Sequence, residues 1–302
     1  MKRIVSVSLG SSTRNHQVKI EVLGETFLIE RLGMDGDFAK LRQTIAELDG
    51  KVDALGLGGI TMTMPVAGRT YTIRSASPLM KIAKQTPIVD GTELRTVLER
   101  QVILDLDRSG SVPMEGKKVL VVTAVDRYSM AQAFRELDCE VLFGDLIFAL
   151  GVPKIIRGFN TFHSVVRIFA PLACLLPFSM LYPTGTKEEK VEDAERYSKY
   201  YHEVDIIAGD FNYIHRYMPN DLKGKIIVTN TVTGDNIEEL RSRGVKTLVT
   251  TTPNLGGRSF GTNVIQATIV AALGKKPTEI SDVEYLSTAK SIGFLPRVEH
   301  FA

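Results

Sequence analysis

The sequence predicts an α/β protein: an N-terminal mixed α/β domain followed by a domain built on a doubly wound parallel sheet. Three observations carry that reading. After residue 118, short apolar runs such as Val119–Val122 alternate with stretches of helical periodicity, the pattern of a parallel sheet covered by helices on both faces. Before residue 110 the pattern is mixed, with adjacent strands joined by tight turns as well as helices. Between them, DRSGSVPMEGKK (107–118) is polar, rich in Gly and Ser, and contains Pro113, which marks a boundary. The expected domains are therefore 1–110 and 111–302, the second of Rossmann type.

The elements follow in order. RIVSVSL (3–9) alternates as a strand, and QVKIEVLGETFLIERLG (17–33) reads as strand, turn at Gly24, strand. Phe38, Leu41, Ile45 and Leu48 recur at helical spacing, with Gly50 as a stop. VDALGLGGI (52–60) is a strand entering a glycine-rich turn, and the residues to Arg69 form a hairpin or line a cleft. SPLMKIAKQ (77–85) and GTELRTVLERQVILDL (91–106) are predicted helices. In the second domain strands are expected over 118–124, 140–145, 204–209, 225–230 and 245–250. Helices are expected over 128–138, 187–202, 235–243 and 261–273, the last able to pack back on the first domain.

Composition narrows the function classes. Charged residues make up 24% and the formal net charge is +2, with no basic run, which argues against a nucleic-acid partner. The apolar stretch 159–185 is broken by Arg167, Pro171 and Pro177, so no transmembrane span is expected. Its 159–181 portion is a candidate homodimer contact. MKRIVSVSLG is a strand and not a secretory leader. Cys139 and Cys174 have no CxxC spacing and read as buried free thiols, which suits a cytoplasmic location. The five histidines are dispersed, so no metal site is expected.

Chemistry concentrates in a few places. VLVVTAVDRYSMAQAF (119–134) runs from strand to helix where such folds seat a phosphate. Thr123, Val125 and Tyr128 stand where a dinucleotide turn carries its three glycines. The remaining attraction is the helix N-terminus, with Arg127 beside it and Asp126 as a cap. Asp145 lies about twenty residues on, the place of an acid that binds ribose hydroxyls, and no basic residue follows, which favours NAD over NADP without excluding the latter. Asp90 at a helix entrance is a cap or a partner for a substrate hydroxyl. AGDFNYIHRYMP (208–219) reads as a loop beyond a strand, with Tyr213 and His215 able to exchange a proton. TTTPNLGGRSFGTNVIQA (250–267) is a similar loop into a helix.

Taken in order, these segments resemble the shikimate/quinate 5-dehydrogenase family over most of the chain. TMTMPVA (61–67) is similar to that family's N-V-T-x-P-x-K loop, keeping Thr63 and Pro65 but with Ala67 in place of the catalytic Lys. IVDG (88–91) matches the Asp-Gly of its N-T-D-G motif, and GTNVIQA (261–267) matches the Gly and Gln-Ala of its G-M-L-V-x-Q-A motif. Ser11 and Ser12 echo its serine-rich substrate loop. The resemblance implies an NAD-linked oxidoreductase acting on a hydroxyl or carbonyl of a small polar substrate. The cofactor would lie on Thr123, Ala124, Val125, Asp126 and Arg127, with Asp145 on its ribose. The substrate would meet Ser11, Ser12, Thr63 and Gln266, and Asp90 with Tyr213 or His215 would handle the proton. The missing Lys and glycines keep two alternatives open: a Rossmann-type ligand-binding protein without hydride transfer, and a non-redox enzyme such as a methyltransferase.

Overall fold

A computed structural model describes residues 1–176, 194–255, 258–259 and 261–301. The chain has a two-part α/β architecture: a mixed N-terminal sheet and a doubly wound, Rossmann-like C-terminal sheet.

The first sheet begins with β1 (Lys2–Ser8), β2 (His16–Val22) and β3 (Glu25–Gly33). After helix α1 (Phe38–Leu48) come β4 (Ala54–Gly58), a hairpin of β5 (Thr63–Val66) and β6 (Arg69–Thr72), and the short β7 (Ile88–Val89). The sheet order is β2-β3-β1-β4-β7, with β2 antiparallel and the others parallel. Alternation along β1 sends Val5 and Val7 to one face against Leu41 and Ile45 of α1. Ile4 points to the other face, within the core that also holds Val264 and Ile265.

Helix α2 (Thr92–Arg108) leads to the second sheet. There β8 (Lys118–Val121), α3 (Tyr128–Glu136), β9 (Glu140–Phe143), α4 (Asp145–Phe148), β10 (Ile156–Arg157) and α5 (Phe159–Ala173) fill one side. Then α6 (Ser198–His202), β11 (Ile206–Gly209), α7 (Phe211–Tyr217), β12 (Ile226–Thr229), α8 (Gly234–Ser242) and β13 (Thr247–Thr250) fill the other. A two-stranded hairpin of β14 (Asn254–Leu255) and β15 (Arg258–Ser259) follows, then α9 (Thr262–Leu273), α10 (Asp282–Ser291) and β16 (Arg297–His300). The order β10-β9-β8-β11-β12-β13-β16 has five parallel central strands and antiparallel edges. Its central strands are apolar because both faces are covered. Val119 and Val121 pack with Phe134 and Phe162, while Leu120, Ile207 and Ile227 pack with Tyr201 and Leu240. Helix α9 lies on β1 and β4 of the first sheet; a Cβ on Gly56 would come 2.9 Å from the Asn263 carbonyl.

Several expectations are corrected. The helix predicted over 77–85 is one 3-10 turn at Ser77–Lys81. The Asp49 carboxylate accepts from the Lys84, Gln85 and Thr86 amides at 2.8–2.9 Å and so ends it. The loop read at 208–219 contains α7, because Asp210 caps the Asn212 amide and starts a helix there. The predicted strand end at 124 and strand end at 145 both retreat, to Val121 and Phe143, since Thr123–Arg127 turns and Asp145 opens α4. Residues 177–193 of the apolar segment and of the helix expected over 187–202 lie outside the described residues.

Candidate functional site

The carboxyl ends of the parallel strands of both sheets meet across one cleft. Ser8 ends β1, Gly58 ends β4 and Asp90 follows β7 on one side; Asp126, Asp210 and Asn230 follow β8, β11 and β12 on the other. The second wall lies at the point where the strand order reverses between β8 and β11, where open α/β sheets bind ligands. The cleft has a volume of about 300 Å³, at the small end for ligand pockets.

Its floor is a buried ionic network. Arg127 donates to Glu99 at 2.6 Å and to Asp210 at 2.7 Å, and lies 3.3 Å from Asp126. Arg95 stands 3.3 Å from Asp126. Asn230 donates to Asp210 at 2.7 Å. Burial opposes the Arg127 charge, but Glu99, Asp126 and Asp210 together outweigh it and raise its pKa. Burial raises Glu99, against the pull of Arg127 and Arg95. Asp90 accepts from the Met62 amide at 2.7 Å and from the Thr92 amide at 2.9 Å, yet burial still raises its pKa. Gly91, at φ +87°, then lets α2 start against α9, since a Cβ there would sit 2.4 Å from the Asn263 nitrogen.

Of the residues expected at a site, Asp90, Asp126, Arg127 and Tyr213 line this cleft. Burial, with Asp210 and Asp126 nearby, raises the Tyr213 phenol above its ordinary value. The others lie elsewhere. His215 pairs through Nε2 with Glu239 of α8 at 2.9 Å. Gln266 donates to Glu93 at 2.9 Å and to the Tyr285 hydroxyl at 3.0 Å, between helices. Thr63 is in the β5–β6 hairpin, Ser11 caps the turn after β1, and the Ser12 amide donates to Asp35. Thr123, Ala124 and Val125 lie in the β8–α3 turn, away from the cleft lining.

That turn tests the fit of a dinucleotide. Its free amides are taken in cis: Asp145 accepts from Ala124 N at 3.1 Å and from Val125 N at 2.8 Å. Burial pushes the Asp145 carboxyl up to about 7, with those two amide bonds pulling the other way. Arg127 is spent on the acidic network, and Tyr128 packs on Phe162 and bonds His163 through its hydroxyl at 2.8 Å. Asp145 thus faces the turn that a pyrophosphate would need, and the residues present do not fit that group in the Rossmann manner. Among the described residues no set of three His, Cys, Asp or Glu side chains could hold a metal ion, and no helix is long and apolar enough to cross a membrane.

The sequence reading missed Arg14, His16, Arg31, Arg95, Asn230 and Asn263, all in the cleft lining. Arg95 and Glu99 carried a signal: they share the buried stripe of α2 with Leu94, Leu98 and Val102, where a charged pair has to find partners. Arg14 and Arg31 carried none, since their convergence depends on how the β1 turn folds over β3.

Residues 93–301 match the family model described as "Domain of unknown function (DUF8754)", and residues 3–90 match "Domain of unknown function (DUF8753)". No curated protein matches the chain. Among solved structures, it is similar to hetero-hexameric glutamate dehydrogenase from Thermus thermophilus, at 11% identity over 96% of this chain and 74% of the other, with a TM-score of 0.43. It is also similar to L-tryptophan dehydrogenase from Nostoc punctiforme, at 13% identity over 96% and 79%, with a TM-score of 0.39. A galactofuranose binding protein aligns at 10% identity over 85% of each chain, with a TM-score of 0.37. With well over half of its length covered by the first of the two models, the chain belongs to the DUF8754 family.

Proposed function

We propose that the chain binds a small polar molecule in the cleft between its two sheets, without a dinucleotide on the β8–α3 turn. The observation that carries this is the Asp145 carboxylate on the Ala124 and Val125 amides. A phosphate arriving there would have to displace a buried acid from the two amides it would need. The cleft supplies side-chain amides, hydroxyls and paired charges, which suits hydroxyl and carbonyl groups of a small ligand. Isothermal titration with NAD, NADH, NADP and NADPH tests the reading. No heat of binding is expected at millimolar concentration; saturable binding of any of them overturns it.

A second reading is an NAD-linked oxidoreductase similar to quinate and shikimate dehydrogenases. The position of the cleft at the reversal between β8 and β11 favours it. In that reading Asp90 and Tyr213 face the substrate and exchange its proton, while His215 and Gln266, held by Glu239 and by Glu93 with Tyr285, stand outside the cleft. Absorbance at the reduced nicotinamide band, with NAD or NADP and quinate or shikimate supplied together, would rise only if this reading holds.

On either reading the free thiols Cys139 and Cys174 suit a reducing, cytoplasmic setting. The outer face of α5, with Ile168, Phe169 and Leu172 exposed while Phe162, Val166 and Ala170 are buried, suits a second copy of this chain.

A further inference from the structure

The first-sheet wall of the cleft carries neutral groups with bonding capacity left over. Thr61, in the turn between β4 and β5, lines the cleft and is 7% exposed, and its hydroxyl bonds to nothing among the described residues. It is not one of the buried polar atoms sealed off without a partner, so it opens on the cleft. The next residue, Met62, gives its amide to Asp90 at 2.7 Å, which fixes the backbone there. Ser6 and Ser8, two apart on β1, lie on one face of the sheet. Ser6 Oγ accepts from Nδ2 of Asn263 on α9 at 2.8 Å. Ser8 Oγ accepts from Arg31 Nη2 at 3.0 Å and from the Gly10 amide at 3.2 Å. In each serine the oxygen is used and the proton is left to give. Asn263, 9% exposed, keeps its Oδ1 as an acceptor. The register of β1 on β4 sets Gly58 opposite Ser8, where a Cβ would come 2.7 Å from Ser8 Oγ. Without that side chain the hydroxyl stays reachable.

The charges of the lining, by contrast, are already matched. Arg127 is paired with Glu99, Asp126 and Asp210, and Arg95 with Asp126. Asp90 is held by the Met62 and Thr92 amides. Arg31 bonds Ser11 and Ser8 with Asp35 within reach of its charge, and Arg14 and His16 are engaged within the fold as well.

We propose that the ligand of the cleft is a neutral polyhydroxylated molecule, seated on Thr61, Ser6, Ser8 and Asn263. This rests on the cleft being the ligand site and names the class of its ligand. A charged ligand would lose its hydration on entry and find the counter-charges already taken. The wall offers hydroxyl protons at Ser6, Ser8 and Thr61 and an acceptor at Asn263. A ligand hydroxyl both accepts and donates, so a run of hydroxyls meets all four. A carboxylate accepts only and leaves Asn263 Oδ1 without a donor. The Thr61 hydroxyl, buried and unspent, is the group such a ligand completes.

The test uses the full chain and saturation-transfer NMR with glycerol, D-ribose, D-glucose and myo-inositol, and with quinate as a ring polyol that carries a carboxylate. Each probe is taken to about 50 mM, well above a millimolar Kd. At least one neutral probe is expected to bind saturably, and quinate more weakly than the best of them. Thr61→Val, which keeps the shape and removes the hydroxyl, should weaken that probe about tenfold, the scale of leaving one hydroxyl unpaired. Thr61→Ser, which restores the hydroxyl, should recover most of the affinity. The valine variant should unfold in urea as the parent does, because the hydroxyl has no partner in the protein to lose. Should it fail to fold, Thr61→Ala makes the same test. Absence of binding by every neutral probe overturns the proposal, as does a loss under about threefold in the valine variant, too small for a hydrogen bond left unmade. Quinate binding as tightly as the best neutral probe, or more tightly, overturns the neutral class and leaves the cleft reading standing. Dinucleotide binding overturns the cleft reading itself.

Discussion

Arg127 and Glu99 form a buried ion pair, 2.6 Å apart, with side chains 5% and 0% exposed. It joins α2 to the turn after β8, and through Asp210 it reaches the turn after β11. Three segments far apart in the chain are thereby held at one corner of the cleft. Arg127→Met should cost about 3–5 kcal/mol, because it leaves Glu99 buried without its main partner. The double change Arg127→Met with Glu99→Leu should cost less than the two single costs added together. Urea denaturation of the four proteins measures both; additive losses would mean the two groups do not act as a pair.

Asp145 makes stability depend on pH. Its carboxyl is raised to about 7 in the fold, while the unfolded chain ionises near the ordinary 3.8. Between those values the unfolded state releases its proton first, so this group's contribution falls as pH rises from about 4 to about 7. The full swing is roughly 4 kcal/mol at 1.36 kcal/mol per unit. Asp145→Asn cannot ionise, so its stability relative to the parent should climb across this window and level off above it. A difference between the two proteins that stays flat from pH 4 to pH 8 would show that Asp145 is not shifted.

Gly91 is required where it stands. At φ +87°, with Asn263 N only 2.4 Å from where a Cβ would sit, Gly91→Ala meets both backbone strain and a backbone clash. Left-handed backbone alone costs roughly 1–2 kcal/mol for a residue with a Cβ. The variant should lose at least that much by thermal or urea unfolding. Gly110, also at positive φ but with open space around it, is the control, and Gly110→Ala should lose less. Equal losses would remove the role of the α2–α9 approach.

The exposed face of α5 is tested by mass in solution. Phe169 and Leu172 are 50% and 60% exposed on its outer side. If two copies meet there, Phe169→Asp with Leu172→Asp should halve the mass seen by light scattering, since a buried carboxylate in an apolar contact is costly. A parent that already runs as a monomer, or a dimer that survives the substitutions, removes that contact.

Much of the fold is legible in the sequence. Runs such as Val119–Val122 and Ile226–Thr229 read as buried parallel strands, and Phe38, Leu41 and Ile45 place α1, because apolar periodicity is a local property. The absence of glycine from 123–128 is equally plain and foretells an unusual turn. The chain's short capping signals are harder to weigh. Asp210 followed by Phe211 reads as a loop, although the same acid caps and begins a helix.

The cleft itself is not legible there. Asp145 can be located at a strand end, but whether its carboxylate faces a ribose or the turn's own amides depends on the α4 backbone and on burial. Tyr213 and His215 sit two residues apart on α7, and helical geometry sends the first to the cleft and the second to Glu239. Arg14 and Arg31 meet only because β1 and β3 are neighbours in the sheet. Sequence by itself determined the central parallel strands and the longer helices, since each must bury one stripe or face. Only tertiary structure decided which charges share a pocket, because that depends on where the strand ends of two sheets come to lie.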